Sequence, residues 1–76
     1  LLYAAFHHVV GKVGQVYIPI PGDRKGSGKV NVIIQDKYTE INAITNEPET
    51  LKTGEAVRIV STDETGLLVV ERLKRQ

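Results

Sequence analysis

Lys29-Val30-Asn31-Val32-Ile33-Ile34-Gln35, followed at once by Asp36-Lys37-Tyr38-Thr39-Glu40-Ile41-Asn42-Ala43, decides the fold. In the first run Val30, Val32 and Ile34 point one way, and Lys29, Asn31 and Gln35 the other. In the second, 37–45, Ile41 and Ala43 oppose Glu40, Asn42 and Ile44. An apolar residue at every second position is the period of a strand with one buried face, because successive side chains alternate across the pleat. The density of β-branched residues favours the same state. Between the runs stands only Gln35-Asp36-Lys37, which has room for a tight hairpin turn and nothing longer. The segment predicts two antiparallel neighbours whose inner face carries Val30, Val32 and Ile41.

Three further apolar runs lie around this hairpin. The first, 9–20, is interrupted by Gly11 and Gly14. The run 55–62 sets Val57 and Ile59 against Arg58 and Thr62, and 67–73 is apolar on both faces, with Leu68 and Val70 read as the inward pair. No stretch holds a helical period over a useful length; the nearest candidate is 47–53, long enough for a turn or two. The segment 19–28 is a long loop rich in glycine and proline, and 61–66 is a second hairpin turn in which Gly66 can take a positive φ. The chain has 76 residues, so it buries only roughly 60% of the surface its unfolded form exposes. Five short strands in so small a chain remove their exposed edges by closing on themselves. The expectation is all-β: a five-stranded small β-barrel, OB-fold-like, with at most a short helical turn. It would occupy 9–73 as one domain, between an apolar stub 1–8 and a basic tail 74–76.

Composition excludes several chemistries. There is no cysteine, so disulfides, thiolate metal sites and cysteine nucleophiles fall away. His7 and His8 are adjacent, which on a strand sends them to opposite faces, and no third ligand stands at a useful spacing; no metal is expected. Neither Ser27 nor Ser61 sits on a nucleophile elbow, and a thin core cannot pre-organise a triad. Gly22-Asp23-Arg24-Lys25-Gly26-Ser27-Gly28-Lys29 fails as a phosphate loop. Asp23 stands where the first glycine belongs, Val30 where a Ser or Thr belongs, and a strand follows instead of a helix. No cofactor and no catalysis are therefore expected. What remains of that loop is a flexible glycine segment with Arg24 and Lys25 at its tip, a candidate contact because loops carry binding on small barrels. Tyr38, an aromatic on the polar side of its alternation, is the second candidate. Nucleic acid is a weaker reading. The net charge is only +1, residues 1–38 hold five basic and two acidic side chains, and 39–76 hold five and seven. No strand interleaves aromatics with Lys or Arg as a single-strand binder does.

The stub Leu1-Leu2-Tyr3-Ala4-Ala5-Phe6 is apolar but far shorter than the about 20 residues of a spanning helix. It reads either as the end of one or as an ordinary apolar terminus. Glu71-Arg72-Leu73-Lys74-Arg75-Gln76 reads as a solvated tail, or as a segment able to touch anionic headgroups near a membrane.

Four segments in order, Gly11-Lys12-Val13-Gly14-Gln15-Val16, Gly28-Lys29-Val30-Asn31-Val32, Leu51-Lys52-Thr53-Gly54-Glu55-Ala56-Val57-Arg58-Ile59-Val60 and Gly66-Leu67-Leu68-Val69-Val70-Glu71, carry a resemblance. Across about residues 10–73 the chain resembles the C-terminal soluble domain of the NfeD family. Tyr38 stands near the place of that family's third-strand tryptophan, and Asp36 where a glycine is usual. In the reading of this resemblance, the two glycines of the first strand give the bend a small barrel needs, and Gly54 permits the turn that swings Leu51 under the barrel. The resemblance implies a prokaryotic membrane protein in which this domain follows transmembrane helices, so a cell-membrane location for the whole protein. Longer members add a ClpP-like serine protease domain. It also implies a stomatin-, prohibitin- or flotillin-like partner in membrane organisation or protein quality control. The domain itself would be a non-catalytic interaction module. The alternatives are a nucleic-acid-binding OB domain and a swinging-carrier barrel, for which Asp36-Lys37-Tyr38 offers a lysine on a hairpin without the rest of a carrier signature.

Overall fold

The computed structural model describes residues 9–73. Five strands form, β1 (Val13–Ile18), β2 (Gly28–Ile34), β3 (Lys37–Thr45), β4 (Ala56–Thr62) and β5 (Leu68–Arg72). They close into one barrel in the order β1-β2-β3-β5-β4. Every neighbouring pair is antiparallel except β3 and β5, which run parallel. This is the small OB-like barrel that the alternation predicts. The stub 1–8 and tail 74–76 lie outside the described residues.

The inward set follows the period of two. Val30, Val32, Ile41, Val57, Ile59, Leu68 and Val70 are all buried. Val16, Ile20, Ala43 and Leu51 join them, and Val9 closes the cluster at the start of the described chain. Val69 is buried as well, on the other face of β5, where it lies level with Ile44. One polar group enters this interior: Thr45, whose hydroxyl donates to the Val70 carbonyl at 2.7 Å and accepts the Glu47 N–H at 3.1 Å. A buried hydroxyl is tolerated there because both of its roles are satisfied.

Four sequence readings are corrected. The segment 47–53 is not helical. Pro48 lacks a donor, and Leu51 is extended, exchanging both backbone hydrogen bonds with Ile20 at 2.9 and 3.0 Å. A 3-10 turn forms instead at Gly22–Arg24. The first strand begins at Val13, not Val9, because Gly11 turns the chain with φ +91°. Gly14 serves close approach rather than a bend: a Cβ there would lie 2.8 Å from the Asn31 carbonyl oxygen. The β2–β3 turn is two residues, Gln35 and Asp36, both at positive φ (51° and 67°). That is the primed turn whose twist matches its flanking strands.

Candidate interaction surface

The candidate residues fall in two places. Arg24 is the last residue of the 3-10 turn and Lys25 follows it; the turn is folded against the β3–β4 connection and is not a free loop. The Asp23 N–H donates to the Glu47 carbonyl at 2.7 Å, and the Arg24 Nε–H donates to Asn46 Oδ1. Gly22 packs so closely on Pro48 that a Cβ would meet its carbonyl oxygen at 2.6 Å. Asp23 and Arg24 both hold positive φ, a conformation unfavourable for residues with a Cβ. Lys25 is exposed, and only its backbone N–H is tied, to the Gly22 carbonyl.

Tyr38 lies near the start of β3, at the opposite end of the β2–β3 ladder from Asn46. At about 3.3 Å per residue the separation is roughly 25 Å of strand, so the loop and the tyrosine do not form one site. Tyr38 is 80% exposed. Directly across from it in the register stands Ile33, 54% exposed. The β1–β2 register, continued two pairs past Gln15 and Asn31, brings the exposed Val13 level with Ile33. An apolar row thus runs over the outer face from β1 to β3 and ends at Tyr38. The row beside it, Gln15, Asn31 and Glu40, is polar. Ile33 and Val13 escaped the sequence reading. The signal was present, since Ile33 occupies the polar side of the alternation with Lys29, Asn31 and Gln35.

Electrostatics elsewhere serve the frame. The Arg72 Nε–H donates to Glu55 at 2.8 Å, and the Arg72 backbone N–H donates to Glu47 at 2.9 Å. Glu55 also accepts the Lys52 N–H at 2.7 Å. The hydrogen bond from Arg72 and then that from Lys52 hold the Glu55 carboxyl below its ordinary value. Asp63 is likewise lowered, first by the Thr65 hydroxyl and then by the Leu67 N–H, as it caps the β4–β5 turn. Among the described residues no three His, Cys, Asp or Glu side chains gather as a metal would require. His7 and His8 lie outside those residues. No helix among the described residues is long and apolar enough to cross a membrane.

The fold and surface together define a small closed OB-like barrel whose exposed features include an apolar row and a pinned basic turn. No family model matches the chain. No curated protein matches it. Solved structures do. The soluble domain of the NfeD protein YuaF from Bacillus subtilis superposes with a TM-score of 0.75, at 20% identity over 97% of this chain and 87% of that one. The C-terminal domain of a stomatin operon partner protein from Pyrococcus horikoshii gives 0.69, at 20% identity over 90% and 92%. The soluble domain of a membrane protein implicated in regulation of membrane protease activity, from Corynebacterium glutamicum, gives 0.69, at 19% identity over 88% and 95%. The barrel is that of NfeD-type C-terminal soluble domains, the fold the residue pattern resembles.

Proposed function

We propose that this chain is a non-catalytic interaction domain of an NfeD-like membrane protein, and that it assembles with a stomatin-like membrane protein. One observation carries the reading: the barrel superposes over nearly its whole length on a domain described as belonging to a stomatin operon partner protein. Fold alone does not assign function, and the surface adds independent support. The described residues form no cluster able to hold a metal, while an apolar row stands free on the outer strands. Contiguous exposed apolar surface is a mark of interaction sites. Arg24 and Lys25 on the turn and Tyr38 on β3 are the candidate contacts. They act as separate contacts if one partner uses both.

The test is a titration of the isotope-labelled 76-residue chain with the soluble part of a stomatin-like protein, read by amide chemical shifts. Shifts that saturate and cluster on 21–28 or around Tyr38 support the reading. Absence of binding at about 100 μM, the weak end of non-obligate association, overturns it.

A further inference from the structure

The barrel is closed in its strand order, yet among the described residues one stretch of one strand has a neighbour on one side alone. β3 pairs with β2 along 37–43, but β5 meets it only at Ala43, Ile44 and Thr45. Among the described residues, no strand stands beside β3 between Tyr38 and Glu40 on the side facing away from β2. An open cleft of about 330 Å³ marks the parting, lined by Glu40, Asn42, Thr65 and Gly66, with Lys29 also on its wall but not within ion-pair distance of Glu40.

The hydrogen-bond parity says which backbone groups face that gap. In a hairpin with a two-residue loop, the residues flanking the loop form a hydrogen-bonded pair, and such pairs then alternate with non-bonded ones. Ile34 and Lys37 flank the loop, so Thr39 with Val32 and Ile41 with Val30 are bonded pairs. Tyr38 with Ile33 and Glu40 with Asn31 are the non-bonded pairs between them. The N–H and C=O of Tyr38 and of Glu40 therefore point away from β2. Outside the β2–β3 ladder, no backbone hydrogen bond among the described residues uses them. Four backbone groups stand in a row at the edge where the apolar row ends.

We propose that this edge takes up an extended segment of the partner protein as an added strand, beside Tyr38 and Glu40. The side chains name its chemistry. The residue opposite Tyr38 continues the Val13, Ile33, Tyr38 row and is apolar. The residue opposite Glu40 is basic, because Glu40 has no ion pair among the described residues. A second copy of this chain fits less well. A twofold through Thr39 would set Tyr38 against the carboxylate of the other copy's Glu40 and leave both carboxylates without a cation. Four backbone hydrogen bonds would be its main contact, far from the roughly 1,200–2,000 Å² of a stable interface. Charges on an edge discourage indiscriminate pairing, and here they select for a cation-bearing strand. Main-chain bonds then give affinity, and alternate side chains give specificity.

The inference deepens the reading of the chain as a protein-interaction domain and rests on it, so the test has two arms. In the first, the labelled chain is titrated with the soluble part of a stomatin-like protein, and hydrogen exchange is followed at the Tyr38 and Glu40 amides. Both should exchange fast in the free chain and become protected in the complex. Tyr38→Pro removes one edge donor without touching a β2–β3 bond, and edge strands tolerate proline. It should weaken binding about tenfold, the effect of losing one hydrogen bond and its anchor ring. Glu40→Lys, which leaves the backbone unchanged, should weaken it in the same direction if the proline variant fails to fold. Binding that protects neither amide and survives Glu40→Lys overturns the edge while leaving the interaction reading intact. The second arm uses an acetylated peptide, Thr-Val-Thr-Lys-Thr-Ile-Thr, whose antiparallel alignment puts Lys opposite Glu40 and Ile opposite Tyr38. It should shift and protect those amides and bind at least about threefold tighter than the peptide with Glu in place of Lys. Shifts elsewhere, no binding at about millimolar peptide, or equal affinity for the two peptides overturns the proposal even where the stomatin-like probe does not bind. Association of the chain with itself through β3, seen as a concentration-dependent mass lost in Glu40→Lys, assigns the edge to a second copy and likewise overturns it.

Discussion

Replacing Ile59 by Ala is the sharpest test of the barrel's register. Ile59 is 1% exposed and pairs with Val70 across β4 and β5, inside the core cluster. Its neighbour Val60 is 46% exposed, because one step along a strand turns the side chain to the other face. Truncating a buried Ile to Ala removes transfer energy and leaves a cavity, about 2–5 kcal/mol together. A chain of 76 residues holds about 4–11 kcal/mol of total stability at the usual ~0.05–0.15 kcal/mol per residue. Ile59→Ala thus removes a large share and at the upper end unfolds the domain. Ile59→Val, at about 0.5–1.5 kcal/mol, stays within the measurable range. At about 4–8 °C per kcal/mol it should lower the melting temperature by roughly 2–12 °C. Val60→Ala should stay within about 0.5 kcal/mol of the parent. Urea unfolding followed by circular dichroism gives all three values on one scale. A loss of only a few tenths for Ile59→Ala, or a greater loss for Val60→Ala, would refute the register.

Three other perturbations have definite expected outcomes. Gly28→Ala should destabilise by about 1–3 kcal/mol or more, since its Cβ would lie 2.3 Å from the backbone oxygens of both Ile18 and Pro19; Gly26→Ala, whose nearest neighbour is a Pro21 side-chain carbon at 3.2 Å, should be milder. Denaturant midpoints rank the two, and equal midpoints would contradict the packing at the β1–β2 bulge. Glu55 has a folded-state pKa below its ordinary value, chiefly through the hydrogen bond from Arg72. Its contribution is therefore present above the unfolded pKa and is lost as pH falls through the folded one. Melting curves from about pH 6 to about pH 3 should show a fall that Glu55→Gln partly flattens, and an unchanged slope would dissociate Glu55 from acid unfolding. Single-stranded DNA or RNA should bind no tighter than about 1–100 μM at physiological salt; sub-micromolar binding by anisotropy, lost in Arg24→Ala/Lys25→Ala, would revive the nucleic-acid reading.

The parts legible in the sequence are those with a local cause. Val30, Val32, Ile41, Val57 and Ile59 declare an inner face by period alone, and each is buried. The turn at Gln35 and Asp36 follows from the two alternating runs on either side, although neither residue is the usual glycine or asparagine for its positive φ. What escaped depends on contacts distant in sequence. The segment 47–53 is, by itself, the nearest candidate for a short helical turn, but Ile20 holds Leu51 extended from 31 positions away. Arg24 looks free at a glycine loop until Asn46 binds its guanidinium and Glu47 holds the N–H of the neighbouring Asp23. Ile33 was hidden for a different reason. It follows an inward Val32 and precedes Ile34, so the pair reads as generic core until the register sets it opposite Tyr38 on the outer face.

The open edge is the least local feature, and closure itself produces it. β3 has nine residues and β5 only five. Their parallel pairing begins at Ala43, late in β3, because β5 must also pair antiparallel with β4 from Val57 to Thr62. Meeting both neighbours forces β5 to start where β3 is nearly finished, so the first half of β3 is left paired on one side. Lengthening β5 backward is blocked by the turn in which Asp63 binds the N–H groups of Thr65 and Leu67. The same capped turn that ends β4 therefore keeps β5 from extending beside Tyr38 and Glu40. A barrel that removes its edges almost everywhere retains one at the place where its apolar row reaches the surface's limit, and an added strand with a cation opposite Glu40 is the ligand that would close it.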